Sequence, residues 1–257
     1  MKELIEKYLK TKSLDVRFYD SIDSTNTALR ALAEAGAEEG TVLIAAHQTA
    51  GRGRRGRSFY SPQSTGLYMS ILLRPKADAQ KILRITPAAA VAAAQTFEEI
   101  SGESANIKWV NDVYMRGRKV CGILTEASIT GENARYVIMG IGVNLLPPEG
   151  GFPPELRDTA GSVFTEGDVK TLFAKTAAGI ADRFMSLCAD LDGRELLNEY
   201  RRRSILTGRD IDVYRVIGGQ AERAKAVGID DGFGLTVRFP DGRTETLSSG
   251  EVTVRKV

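Results

Sequence analysis

Seven consecutive residues, Gly51-Arg52-Gly53-Arg54-Arg55-Gly56-Arg57, carry four guanidinium groups and three glycines, and no apolar or acidic side chain. Such a segment has nothing to bury, so it cannot be a packed helix or strand. It is nonetheless bounded by strand-like runs, Thr41 to His47 before it and Leu67 to Leu73 after it. The chain must therefore fold as a scaffold that presents a basic loop between two buried strands. Glycines let the backbone take positive φ and approach a ligand closely. Arginines supply permanently charged planar forks that suit phosphate and carboxylate oxygens. A nucleic-acid tract of this composition would normally repeat within a disordered tail. This run occurs once, between strands, which favours a small phosphorylated ligand over an RNA-binding patch.

The rest of the chain reads as mixed helices and strands. A short helix is expected over Leu4 to Leu9 and a strand over residues 14 to 20. Asp23-Ser24-Thr25-Asn26 offers capping side chains for a helix over Ala28 to Ala35 that Gly36 ends. Thr86 reads as an N-cap with Pro87 first in an alanine-rich helix that runs to Ser101 and stops at Gly102. Ile107 to Trp109 is extended, and Val113 to Met115 and Val120 to Ala127 flank a hairpin turn at Arg116-Gly117-Arg118. Tyr136 to Leu145 is a further strand, and four prolines between Pro147 and Pro154 mark a surface loop. Apolar residues from Val169 to Leu187 recur at helical spacing, which gives a long helix over about 168 to 189. Beyond Ser204 come five short strand candidates: Asp210 to Val216, Arg223 to Ile229, Leu235 to Phe239, Thr244 to Leu247 and Val252 to Arg255. Gly218-Gly219, Asp231-Gly232 and Asp241-Gly242 separate them, as expected for a small barrel. The expected organisation is α+β, a mixed sheet flanked by helices over residues 1–203 and a small C-terminal β-barrel over 204–257.

Several function classes are set aside by composition. The formal net charge is +2, so no broad basic surface draws the molecule onto nucleic acid or membrane. Two cysteines, Cys121 and Cys188, make neither a disulfide framework nor a zinc site. No run approaches the ~20 apolar residues of a membrane span, and the first residues lack a signal-peptide pattern, so the expected location is the cytoplasm. With a single histidine, His47, and no HExxH, neither a Ser-His-Asp hydrolase nor a zinc enzyme is indicated.

Three further segments place polar residues where a core strand has no use for them. Lys108-Trp109-Val110-Asn111-Asp112 reads either as a binding segment or as a strand end with an Asn-Asp turn. Lys119-Val120-Cys121-Gly122-Ile123-Leu124-Thr125-Glu126 puts a lysine into an apolar strand, either facing an acidic ligand group or solvated at the edge. Its Gly122, like Gly140 and Gly142 in Gly140-Ile141-Gly142-Val143-Asn144, suits close approach of a ligand to backbone.

In this order, and with Gln48-Thr49-Ala50 leading into the arginine run, these segments resemble the biotin–protein ligase family. Ser248-Ser249-Gly250-Glu251-Val252 is similar to that family's C-terminal signature. The resemblance implies a class II synthetase-like catalytic domain with an SH3-like barrel. It implies adenylation of biotin by Mg-ATP and transfer to a lysine of a biotin carboxyl carrier domain. Ser24, Thr25, Asn26, Gln48, Arg52, Gly53, Arg54, Lys119 and Gly122 would then bind biotin. Arg52, Arg54, Arg57, Asn111 and Asn144 would hold the nucleotide. Lys119, Arg54 and Lys108 would be catalytic, Lys119 foremost, and Asp112 would meet Mg2+. The family usually has Trp where Phe59 stands and Pro where Val110 stands, and Thr159-Ala160-Gly161-Ser162 falls where a cover for adenine is sought. The related lipoate–protein ligases share this chemistry; the Gln48-to-Arg57 segment and the C-terminal barrel favour biotin over that alternative. A nucleic-acid-binding module is the remaining one. Only 23 residues precede Ser24, against roughly sixty for an N-terminal helix-turn-helix domain, so no DNA binding is expected. Family members often pair through a sheet edge, which makes a homodimer possible.

Overall fold

The computed structural model describes residues 1–75, 79–130, 133–215, 219–248 and 251–254. Seven strands form the main sheet: β1 (Asp15–Tyr19), β2 (Thr41–Ala45), β3 (Gly66–Leu73), β4 (Asn106–Lys108), β5 (Asp112–Met115), β6 (Arg118–Thr130) and β7 (Asn133–Asn144). Their order is β1-β2-β3-β7-β6-β5-β4, with β1 and β2 parallel and every other pair antiparallel. Six helices accompany it: α1 (Lys2–Tyr8), α2 (Thr25–Glu34), α3 (Ala79–Leu83), α4 (Ile85–Ser101), α5 (Val169–Cys188) and α6 (Arg194–Arg203).

Every residue of β2 and β3 is buried, because helices cover both faces of the sheet there. The period-2 alternation of a strand divides their side chains. Leu43 and Leu72 pack with Leu29 and Ala33 of α2, whereas Val42, Ile44, Met69 and Ile71 join the larger core under α4 and α5. In α4 Ala88 to Ala94 are all buried. That row of small side chains lets α5 lie close against α4. Arg116 and Gly117 both have positive φ, 49° and 72°, as a two-residue hairpin between β5 and β6 requires.

The second sheet comprises β8 (Asp210–Tyr214), β9 (Glu222–Ile229), β10 (Leu235–Arg238), β11 (Thr244–Leu247) and β12 (Glu251–Val254), in the antiparallel order β11-β10-β9-β8-β12. Among the described residues β11 and β12 stand at opposite edges. Val216, Gly218, Ser249, Gly250 and Arg255 of the expected strands, turns and signature lie outside the described residues. The expected mixed sheet flanked by helices is present. Two details differ. Thr86 does not cap α4; Arg84 holds the cap position, and the Thr86 hydroxyl donates to Thr125 Oγ1 of β6 at 2.7 Å. Pro87 still falls within the first turn, where its missing N–H costs no hydrogen bond. Helices α3 and α6 were not anticipated. No helix among the described residues is long and apolar enough to cross a membrane.

Candidate active site

The parallel β1–β2 pairing continues past both strands as a bridge between Ile22 and Gln48. This brings the first turn of α2 against Gln48. The Gln48 Oε1 accepts from the Thr25 N–H at 2.8 Å and from the Thr25 hydroxyl at 3.1 Å. Ser24 stands at the N-cap of α2, and Ser24, Thr25 and Asn26 are all buried. Beneath them Ser70 of β3, fully buried, contacts Thr25 Oγ1 at 2.7 Å and Asn26 Oδ1 at 2.6 Å. A polar floor is thus built on an apolar sheet, with its side chains held by one another.

The arginine run folds as a flap over this floor. Its base is closed by two rungs, Phe59 N–H to Gly51 O at 2.9 Å and Gly53 N–H to Arg57 O at 2.7 Å. At its tip Arg55 and Gly56 take positive φ. Arg54 donates to Asn111 Oδ1 at 2.9 Å, and the Asn111 amide donates to Ile123 O at 3.0 Å. Arg52 donates to Glu126 Oε2 at 3.0 Å. The wall opposite is Lys119 of β6, whose Nζ lies 2.7 Å from Asp112 Oδ1, a buried oxygen otherwise without a partner.

All nine residues expected to bind biotin line one pocket under this flap, together with Asn111. Lys108, Arg57 and Asp112 line an adjoining cleft that shares Arg54, Asn111 and Lys119 with it. Asn144 lies outside both, its amide donating to Gly161 O at 2.9 Å. The Thr159–Gly161 segment nevertheless reaches the site. Lys119 N–H donates to Thr159 O at 2.9 Å, and Gly161 N–H donates to Lys119 O at 2.8 Å.

The strand glycines and Asp112 have protein partners in the ligand-free chain. The strand glycines admit protein side chains. A Cβ on Gly140 would collide with the Asn26 amide, and one on Gly142 would lie 2.5 Å from Phe59 Cε1. The Phe59 ring also bears on Gly122, at 3.2 Å from the position of a Cβ. Asp112, expected to meet a metal, faces Lys119 in the ligand-free chain. Among the described residues no group of three His, Cys, Asp or Glu could hold an ion. Glu126 and Ser70 were missed as parts of the site. The signal for Ser70 was a lone hydroxyl in the apolar run Gly66-Leu67-Tyr68-Met69-Ser70-Ile71-Leu72-Leu73.

Cys121 is completely buried, and burial pushes its thiol up, so it stays protonated. Burial does the same for the Tyr200 phenol, which donates to Val110 O at 3.0 Å, and pushes Tyr114 up to about 12. The Trp109–Val110 peptide is cis at the position where the family pattern has Pro. What the arrangement offers is fixed positive charge and oriented donors around one pocket, suited to chemistry on a ligand's own groups.

Comparison with known proteins agrees with this geometry. The model of the biotin/lipoate A/B protein ligase family matches residues 18–144. The chain is 32% identical to the biotin--[acetyl-CoA-carboxylase] ligase of Mycobacterium tuberculosis, covering 89% of this chain and 85% of that one. It is 42% identical over 146 residues to the bifunctional ligase/repressor BirA of Bacillus subtilis. That match takes in 57% of this chain and spans less than half, 45%, of the relative's length. The fold superposes on the biotin protein ligase of Aquifex aeolicus, solved in complex with biotin and ATP, with a TM-score of 0.75 and 27% identity over 95% of this chain and 99% of that one. The polar floor, the basic flap and the strand lysine therefore sit in a chain that belongs to the biotin/lipoate A/B protein ligase family.

Proposed function

We propose that the chain is an ATP-dependent biotin–protein ligase. A carboxylate oxygen of biotin attacks the α-phosphorus of ATP. The bond from that phosphorus to the bridging oxygen breaks, pyrophosphate leaves, and biotinyl-5′-AMP is formed. A neutral lysine amine of a carboxyl carrier domain then attacks the acyl carbon; AMP departs with the bonding electrons, and the amine proton passes to solvent. Both steps crowd negative charge at one point. Preorganised donors there are each worth about 10²- to 10³-fold in rate.

The observation that carries this reading is the convergence of Lys119, Arg52 and Arg54 on one pocket with a hydrogen-bonding floor. In this reading Ser24, Thr25, Asn26 and Gln48 bind the ureido end of biotin, and Lys119 meets the carboxylate and the α-phosphate. Arg52 and Arg54 neutralise phosphate oxygens, while Lys108 and Arg57 extend the positive field through the adjoining cleft. Asn111 and Asn144 hold the nucleotide side, with Thr159–Ser162 nearby. A metal that arrives with ATP needs few protein ligands, and the otherwise unpartnered Asp112 Oδ1 fits that role. Mg2+ held there would offset phosphate charge. We read residues 1–203 as the catalytic unit and 204–257 as an SH3-like barrel, supported by the antiparallel meander of short strands. Biotin is favoured over lipoate by the names of the relatives reported above.

Incubation with biotin, MgATP and an apo carrier domain, followed by intact mass, tests the proposal. A shift by one biotinyl group on the carrier lysine, with AMP and pyrophosphate released, is the expected result. An unshifted carrier together with lipoylation by lipoate and ATP would replace it with the related activity.

A further inference from the structure

Glu126 sets a puzzle. Both proposed small substrates are anions, and a carboxylate near their pocket opposes them. Yet Glu126 is largely withdrawn from solvent, its side chain 20% exposed, and it accepts from three side chains, two on α2 and one on the flap. Its Oε1 takes the Arg30 guanidinium, from the outer face of α2, at 2.6 Å. Its Oε2 takes Asn26 Nδ2, from the pocket floor, at 2.9 Å and Arg52 Nη1, from the flap, at 3.0 Å. With three donors engaged, two of them cationic, the carboxylate is turned away from ligand chemistry.

We propose that Glu126 is a positioning residue that latches the flap, tying Arg52 to Asn26 and Arg30 of α2. The two rungs at the base of the flap make it move as a unit, so a tie at Arg52 also restrains Arg54 and Phe59 beyond it. Arg54 on Asn111 is a second tie. The tie through Glu126 differs in joining two opposite charges in partial exposure, which makes it sensitive to salt. It also shares one oxygen with a floor amide. A ligand that engages Asn26 therefore acts on the same oxygen that holds Arg52, so filling the floor is coupled to the flap. This coupling to catalysis rests on the ligase reading, whereas the latch is a property of the ligand-free chain.

Limited trypsin digestion of the full, ligand-free protein separates the two. Glu126→Gln is expected to raise cleavage after Arg54, Arg55 and Arg57, the sites every variant keeps, about fivefold, the scale of one partly exposed charged tie, with cleavage elsewhere unchanged. Arg52→Gln, at a half-exposed flap position where folding is not at stake, should give the same rise. The double variant should be cut no faster than either single one, since the two changes remove one interaction. Higher salt should bring wild type toward the variants and leave them unmoved. In turnover, Glu126→Gln should release more activated biotin onto bystander lysines, with carrier labelling reduced less than bystander labelling is increased. Equal flap cleavage in wild type and both variants overturns the latch. So does a rise spread over the whole chain, which would mark a structural role, or an additive double variant. If wild type instead fails to label carrier while the cleavage pattern holds, the ligase reading falls and the latch stands.

Discussion

Lys119 is the residue on which the proposed chemistry depends most. Its ammonium is a point charge on a flexible stem, one third exposed, whose resting partner is Asp112. When a carboxylate and a phosphate enter, that charge can turn from one internal anion to two external ones without crossing the fold. Lys119→Ala is expected to lower pyrophosphate release by at least about 10³-fold, since it deletes a donor from a closed electrostatic site. The melting temperature should stay within a few degrees, the pair being partly solvated. Pyrophosphate release near the wild-type rate would remove Lys119 from the reaction. Lys119→Arg should not rescue, because a planar fork cannot take the place of a compact ammonium against Gly122. Residues like this were legible from sequence because they break a local pattern: a lysine in an apolar strand, four arginines where nothing can be buried. Ser70 breaks a pattern too, but a single hydroxyl is common in strands and does not announce its partners. Gly140 and Gly142 were legible as close approaches, but the side chains that make them were not. A missing Cβ shows that space is needed, and only the fold shows that Asn26 and Phe59 fill it.

Elements were legible in proportion to how clearly their burial was periodic. Strands β2 and β3 and helix α5 have unbroken apolar runs or a strong helical repeat, and the structure places them where expected. The start of α4 was displaced because Thr86 had a competing partner across the core, which no local rule contains. Helix α6 escaped notice because its sequence, Arg194-Glu195-Leu196-Leu197-Asn198-Glu199-Tyr200-Arg201-Arg202-Arg203, buries only Leu196, Tyr200 and Arg203. An arginine is not read as a core residue, yet the Arg203 side chain is 3% exposed. It donates to Ala105 O at 2.8 Å, to Glu98 at 2.7 Å and to Glu199 at 3.2 Å. Arg203→Ala should therefore destabilise by about 3 kcal/mol at neutral pH, the cost of leaving a largely buried ionic cluster without its centre. The pH dependence has a definite sign. The Arg203 guanidinium holds Glu98 below the ordinary carboxylate value, and Arg202, with Arg203 behind it, holds Glu199 below it. Carboxyls depressed in the folded state contribute stability that is full above their unfolded value, about 4.3, and fades as pH falls through their folded values. Urea midpoints of wild type and variant should thus differ most at neutral pH and converge in acid. A gap that widened on acidification would mean that the cluster is held by packing and not by charge.

At the scale of the whole molecule, the two sheets meet at the site. Trp109, in the segment that leads from β4 to Asn111 and Asp112, donates its indole N–H at 2.9 Å to Phe233 O, in the turn that joins β9 to β10 of the second sheet. Phe233 stacks edge-on against Tyr200 of α6 at 5.4 Å between ring centres, and the Tyr200 hydroxyl returns to Val110 O. Arg201 adds a bond to Ile229 O at 2.8 Å. The apolar cores of the two sheets run together through these residues as one cluster. The expected boundary near residue 204 marks a change of local pattern, from a long helix to short strands, and carries no information about how much surface the two parts share. A shared core joins their stabilities, because neither sheet can open without exposing the other's apolar face. It also makes the geometry around Asn111 and Asp112 depend on a residue more than a hundred positions away. Phe233→Ala removes the ring from this junction and should cost about 3–5 kcal/mol, with pyrophosphate release weakened even where the variant is folded. Trp109 is the sole tryptophan of the chain and stands at the junction, so its fluorescence reports there while far-ultraviolet circular dichroism reports all helices and strands. In urea the two signals should trace one transition, moved together to lower denaturant in Phe233→Ala. A tryptophan transition that precedes the loss of circular dichroism in wild type would show the second sheet leaving first, and the long-range support of the site would then have to come from the main sheet alone.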